Sequence, residues 1–340
     1  ARAEIYFAKP DYQTALAEYE EVLKFQDHTD LVGLALFKSA WCYWRLGNND
    51  EATRRFVEVF KATDTTGRHV NVSQQKSLDE LQEEALKYLV EVFTEDDKNT
   101  AQDMYNFLTK IRGDRFAGRI VRALATTYFD QAHYERGIEA YELLLKLEPT
   151  AREAGDWILQ IAQGYSWLED YPHLKTTYDR ALTNFTAGGS WARTQADPAN
   201  VQKTSDKIEA QLREHALFLN AKAQKDKTST AEFASAADLY GAYLSKFSKA
   251  PKAFQIEYYL AEIDFRRLNR NTDAATHYMN AAREMPDELD KSAPNDALKR
   301  HDAIYNAIAS LERVRVAELE ARKGKGGTLE TETDKKFAEA

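Results

Sequence analysis

The residues best suited to acid–base work or metal ligation are seven histidines: His28, His69, His133, His173, His215, His277 and His301. No two stand four apart, and no HExxH occurs, so no helix face pairs them as ligands. His133 and His173 fall beside inter-helix turns, where a capping or surface role is expected. The one cysteine, Cys42, can form no intrachain disulfide and finds no Cys/His spacing that would hold zinc. Next to Trp41 in a tightly patterned segment, it reads as a buried, inert thiol. The run Lys323-Gly324-Lys325-Gly326-Gly327-Thr328 has the look of a phosphate loop but lacks the GxxxxGK[ST] spacing and a preceding strand, so it reads as a solvated loop. Neighbouring acidic pairs, such as Glu20/Glu21, Glu83/Glu84 and Asp96/Asp97, point to different sides of a helix and read as solvated faces. These residues assemble no catalytic constellation, and no metal or cofactor is expected.

What remains is a surplus of rings, 18 Tyr and 16 Phe with 5 Trp, in a chain with only 14 Gly and 7 Pro. Few turn formers over 340 residues point to helices joined by short connections, not to a many-stranded sandwich. That length exceeds one compact core, so several units or an elongated array are the options. The formal net charge of −9 lacks the basic footprint of a nucleic-acid or anionic-membrane binder. The longest apolar run, 31–37, is interrupted by Gly33 and is far short of the ~18 residues of a spanning helix.

An internal repeat organises the rings. In Leu34–Val59, LALFKSAWCYWRLGNNDEATRRFVEV, small Ala40 is followed by Tyr43, Gly47, Ala52, Phe56 and Val59. The same order returns as Ala125, Tyr128, Ala132, Tyr134, Gly137, Tyr141 and Leu144, again as Ala162, Tyr165, Tyr171, Leu174, Tyr178 and Ala181, and at the start as Ala3, Tyr6, Tyr12, Ala15 and Tyr19. A looser copy, Ala261, Ala274, Tyr278 and Ala281, carries one extra residue in its turn. Antiparallel helices approach to ~8–10 Å only where small residues sit at the crossing. Ala3/Ala15, Ala40/Ala52 and Ala125/Gly137 supply them, each pair twelve residues apart across a turn.

This grammar resembles the tetratricopeptide repeat (TPR) family, whose unit is a helix–turn–helix of ~34 residues. The resemblance covers most of the chain. It implies an all-α, right-handed superhelical solenoid of TPR-like repeats over 1–340. The units are about 1–30, 31–62, 78–111, 114–150, 151–185, 204–250 and 251–286, then an extended helix at 290–323 and a loop opening a further repeat at 324–340. The small residues opening the second helices are Ala15, Ala52, Ala101, Gly137, Leu174, Ala236 and Ala274, at steps of 37, 49, 36, 37, 62 and 38. The long steps hold the polar inserts Thr63–Ser77, Thr186–Lys203 and Lys225–Thr230. Leu174 replaces the usual small residue and predicts a wider crossing. Trp191, in a Gly-rich loop, is either a plug on the array or an exposed contact. The chain starts inside a helical pattern and ends with Phe337 and Ala340 at second-helix offsets, so a longer array is expected.

In such arrays the first helix of each unit lines the concave groove. Measured from its small residue, the groove-facing offsets of −6, −3, +1, +4 and +5 select Leu34, Phe37, Trp41, Trp44 and Arg45 in the second unit. In later units they select Phe93; Arg119, Arg122 and Phe129; Trp167; and Tyr258, Phe265 and Arg266. Aromatics recur at +4, where they either meet a ligand or pack on the neighbouring unit. Trp, Tyr and Arg dominate binding hot spots, and Trp41 and Trp44 are the strongest candidates. A groove so lined accepts an apolar helix or an extended peptide.

The function implied is a non-enzymatic scaffold that binds proteins or peptides in its groove, with no nucleic-acid partner and no membrane insertion. The alternative is a regulatory region of a larger protein whose catalytic domain lies elsewhere. Phe37–Phe60 looks like the envelope-associated TPR proteins of bacteria, including those of gliding-motility complexes, which implies the periplasm or cell envelope. The alternative location is the cytoplasm.

Overall fold

A computed structural model of the chain describes residues 2–25, 31–66, 71–225, 229–287, 300–322, 331, 333 and 334. Its regular structure is helical, with no strand among the described residues. The chain divides into two compact units, Ala1–Leu168 and Glu169–Ala340.

The first unit runs through α1 (Arg2–Ala8), α2 (Tyr12–Leu23), α3 (Val32–Arg45), α4 (Asn49–Ala62), α5 (Val72–Thr94), α6 (Ala101–Lys110), α7 (Ala117–Asp130), α8 (Tyr134–Leu147) and α9 (Ala154–Trp167). Helices α1–α2, α3–α4 and α7–α8 pair as hairpins, and α2 packs on α3, α4 on α5 and α8 on α9. The crossing residues Ala15, Ala40, Ala52 and Ala125 are wholly buried, as the twelve-residue spacing requires. Asp11, Asn48 and Thr100 close helix N-termini by accepting a backbone N–H, each worth ~1 kcal/mol. The turns share one device. The amide of Asn48 donates to Tyr43 O (2.9 Å) and that of His133 to Tyr128 O (2.8 Å), around a left-handed residue, Gly47 (φ +79) or Ala132 (φ +59).

The third repeat departs from this pattern. Helix α5 packs on α3, α4 and α7, while α6 packs on α7 and α8. Bulky Leu89, wholly buried, stands where other first helices carry Ala, so α5 and α6 cannot close into the same tight hairpin. The expected insert at 63–77 is also shorter than the sequence suggests. A capping box between Asn71 and Gln74 starts α5 at Val72, and Thr63 Oγ1 bonds Val59 O at 2.6 Å. Residues 67–70 lie outside the described residues.

The second unit comprises α10 (Tyr171–Asn184), α11 (Pro198–Lys225), α12 (Thr230–Phe247), α13 (Ala253–Ile263), α14 (Asn271–Glu284) and α15 (Arg300–Arg322). Helices α11–α12 and α13–α14 pair, α12 packs on α13, and α15 packs on α14. The extra residue between Ala261 and Ala274 is absorbed by a π-helical turn, Asp264–Leu268, ended by left-handed Asn269 (φ +54). Trp191 is a plug, 3% exposed, its ring 5.3 Å from that of Phe185. Pro198 already begins α11, so only the first part of the expected 186–203 insert is loop. The expected extended helix appears as α15; the 324–330 part of its following loop and the Phe337–Ala340 motif lie outside the described residues. Thr331 and Asp334 nevertheless form reciprocal capping bonds, and Arg315 Nε reaches Asp334 Oδ1 at 2.7 Å.

Wholly buried Tyr128, Tyr178, Tyr240, Tyr243 and Tyr278 account for much of the ring surplus as packing.

Candidate interaction face

Helix α3 carries its apolar residues on two sides. One buries Ala40 and Cys42 against neighbouring helices; the other presents Leu34, Phe37, Trp41 and Trp44 at turn-by-turn spacing. Phe37 is buried, Trp41 and Trp44 are half-buried, and Leu34 and Arg45 are exposed. The cluster is completed by Tyr88 of α5. Its ring stands 4.6 Å from Trp41, 5.9 Å from Phe37 and 6.1 Å from Trp44, and the two indoles are 5.0 Å apart. Phe56 of α4 closes the base, 5.7 Å from Phe37.

Polar groups fix the rim. Trp44 Nε1 donates to Glu95 Oε1 at 2.8 Å, and Asn49 Nδ2 donates to Glu95 Oε2 at 2.9 Å, which tethers the indole across 51 residues of chain. The Arg45 guanidinium lies over both indoles, 5.0 Å from the Trp41 ring and 5.2 Å from that of Trp44. Lys87 lies 5.5 Å over Tyr88. Tyr88 was not among the residues the repeat offsets select. The available signal was chemical: an i, i+4, i+7 stripe of Phe37, Trp41 and Trp44 needs an aromatic partner on the next first helix, and Tyr88 supplies it in mid-α5.

The other offset positions are more deeply engaged. Phe93 is buried, and its carbonyl accepts from Asn99 Nδ2 at 2.8 Å. Phe129 stands 5.8 Å from Tyr134, 5.5 Å from Tyr141 and 5.9 Å from Trp167. Trp167 is half-exposed and leans on Tyr134 at 4.7 Å. Arg122 faces Glu148 at 3.7 Å and lies 5.3 Å over buried Trp157. In the second unit, Tyr258 stands 5.4 Å from Tyr278, and burial, then Glu262, pushes its phenol up to about 12. Phe265, on the π-helical turn, is covered by Arg313 of α15, whose Cζ is 3.7 Å from the ring centroid and whose Nη1 bonds Phe265 O at 3.1 Å. The structure thus brings Phe37, Trp41, Trp44 and Arg45 into one cluster, and Phe129 and Trp167 into a second. Phe93, Arg122, Tyr258 and Phe265 are engaged elsewhere. Exposed Phe218 on α11 and Tyr259 on α13 fall outside the offsets.

The titratable groups are structural. Burial pushes the Cys42 thiol up to about 12, which keeps it protonated at neutral pH. Among the described residues, no group of three or more His, Cys, Asp or Glu could hold a metal ion. Among the same residues, no helix is long and apolar enough to cross a membrane.

No protein-family model matches the chain, and no curated protein matches it. Solved structures similar to it are TPR proteins. The C-terminal part of a TPR repeat-containing protein from Cytophaga hutchinsonii is 12% identical, with coverage of 90% of this chain and 98% of that one and a TM-score of 0.30. A tetratricopeptide repeat protein from Parabacteroides merdae is 12% identical over 90% of this chain and 96% of that one, TM-score 0.22. The TPR domain of P58(IPK) is 13% identical over 92% and 97%, TM-score 0.23. At these scores the likeness names no partner, and the hairpin repeat rests on the packing of the helices themselves.

Proposed function

We propose that the chain is a non-enzymatic scaffold that holds a partner protein against the first helices of its repeats, centred on Leu34, Trp41, Trp44 and Arg45. One observation carries this reading. Two half-buried indoles, a tyrosine and an exposed leucine form a continuous apolar face, rigidly backed by Phe37 and Phe56 and held open by the Trp44–Glu95 tether. Aromatic anchors of this kind, fixed before binding and flanked by a guanidinium, supply most of the energy of protein interfaces. The resemblance of Phe37–Phe60 to bacterial envelope TPR proteins extends the proposal to an assembly at the cell envelope, such as a motility complex.

The test is co-purification of the full chain with partners from a native envelope extract, repeated with purified candidates. Leu34→Glu, which alters an exposed side chain outside the packed core, abolishes binding with unchanged helicity on this reading. Retained binding by that variant refutes the face, and the chain's appearance only in the cytoplasmic fraction refutes the location.

A further inference from the structure

We infer that the Trp41–Trp44 face receives a partner segment in which a side-chain carboxylate stands beside an apolar residue. This rests on the preceding reading that the face binds protein.

Charge accounting on the first helices singles out one guanidinium. Four arginines occupy the offset positions: Arg45, Arg119, Arg122 and Arg266. Three already face carboxylates, Arg119 with Glu83, Arg122 with Glu148 and Arg266 with Glu262. Arg45 has neither a hydrogen bond nor an ion pair among the described residues and is exposed. This stands out in a chain with 55 Asp and Glu against 46 Lys and Arg. The guanidinium is held by the two indoles beneath it, at 5.0 and 5.2 Å. Stacking uses the flat face of the group and leaves its in-plane N–H donors directed outward, the arrangement that binds a carboxylate in bidentate fashion. Lys87 adds a second cation over Tyr88, although Glu84 and Glu91 lie one turn to either side of it, so Arg45 is the principal contact.

The apolar half of the specificity comes from Leu34 and the free edges of the indoles. An aliphatic side chain one helical turn from the carboxylate would cover them while Arg45 takes the charge. A single guanidinium, with the other three arginines engaged, suits one side-chain carboxylate rather than a chain terminus that needs several donors.

Two amidated, acetylated helical peptides test this with the full chain. Both carry leucines at i, i+3, i+4 and i+7; one has three flanking glutamates, the other three lysines at the same positions. By fluorescence anisotropy, the glutamate peptide binds at least about tenfold tighter, weakens as salt rises, and loses about tenfold in Arg45→Gln but not in Lys146→Gln. Equal or tighter binding of the lysine peptide, no binding of either, or an unaltered Arg45→Gln overturns the inference. Self-association of the wild-type chain that Arg45→Gln abolishes also overturns it, by making a second copy the occupant. If both peptides bind equally and both are lost in Leu34→Glu, the face is a binding site and only the charge assignment fails.

Discussion

The ring of Phe129 occupies the space a side chain on Gly137 would need. A β-carbon built on Gly137 would stand 2.1 Å from Phe129 Cδ2 and 2.3 Å from Cε2, and one on Gly164 would stand 3.0 Å from Cζ. Both glycines lie inside helices, where Gly costs ~1 kcal/mol relative to Ala. The slot they make for Phe129 offsets that cost. Gly137→Ala should therefore destabilise the first unit by about 2 kcal/mol in urea unfolding, despite its better helix propensity. Adding Phe129→Leu should recover part of the loss. A stabilised Gly137→Ala would show that the ring swings aside freely.

The repeat turns provide a matched pair. Ala132 sits at φ +59, where an L side chain costs ~1 kcal/mol, and Gly47 sits at φ +79 with nothing within 4 Å of where its β-carbon would stand. Ala132→Gly should raise the urea midpoint, and Gly47→Ala should lower it, each by roughly 1 kcal/mol. Changes of the same sign at both positions would contradict the shared turn geometry.

Much of this was legible in sequence because it is local. Ala40/Ala52 and Ala125/Gly137 mark crossings through steric necessity, and the extra residue between Ala261 and Ala274 announced an irregular turn, although not that it would be π-helical. The fate of the aromatic row was not legible, because it depends on what the neighbouring helix offers. Trp41 and Trp44 meet Tyr88 and keep exposed edges. Phe129 meets two glycines and is slotted. Phe265 meets Arg313 and is covered. No single-repeat period carries that information. The spread of α5 from α6 was foreshadowed by Leu89, but the offset rule treated that position like the others.

Asp264 is 2% exposed, its Oδ1 has no hydrogen bond, and Arg270 Nη1 is 3.7 Å away. Burial raises its carboxyl to about 6, against the opposing pull of His277 and Arg270. Between about 4 and about 6 the folded chain holds a proton that the unfolded chain releases, so stability falls as pH rises through that window and the cost is complete above it. Burial alone would lower His277, but its hydrogen bond to Glu257 and the charges of Glu257 and Asp264 outweigh this and raise it. Its contribution is present below the unfolded value and is lost as pH rises through the folded one. Asp264→Asn should stabilise the second unit by about 2 kcal/mol at pH 8 and by little at pH 4. Destabilisation at pH 8 would mean that the ionised carboxylate is favourable where it stands.

His215 behaves oppositely. Burial lowers it to about 4, and its Nδ1 lies 2.8 Å from the hydroxyl of Tyr178, whose phenol burial raises. The unfolded chain takes up a proton as pH falls through 6.5 while the folded chain does not, so stability is lost between about 6.5 and 4. In a histidine-resolved NMR titration, His215 should remain neutral at pH 5.5 while His277 is already charged. Ionisation of His215 near 6.5 would show that water reaches it.

The central claim is that the α3 face, not the outer side of the second helices, holds the partner. A photoreactive benzoylphenylalanine placed at Leu34, and separately at exposed Lys146 on α8, tests this most directly in native cells. The account predicts a discrete covalent adduct from position 34 and none from position 146. Adducts from position 146 alone would place the partner on the second helices and leave Trp41, Trp44 and Tyr88 as packing.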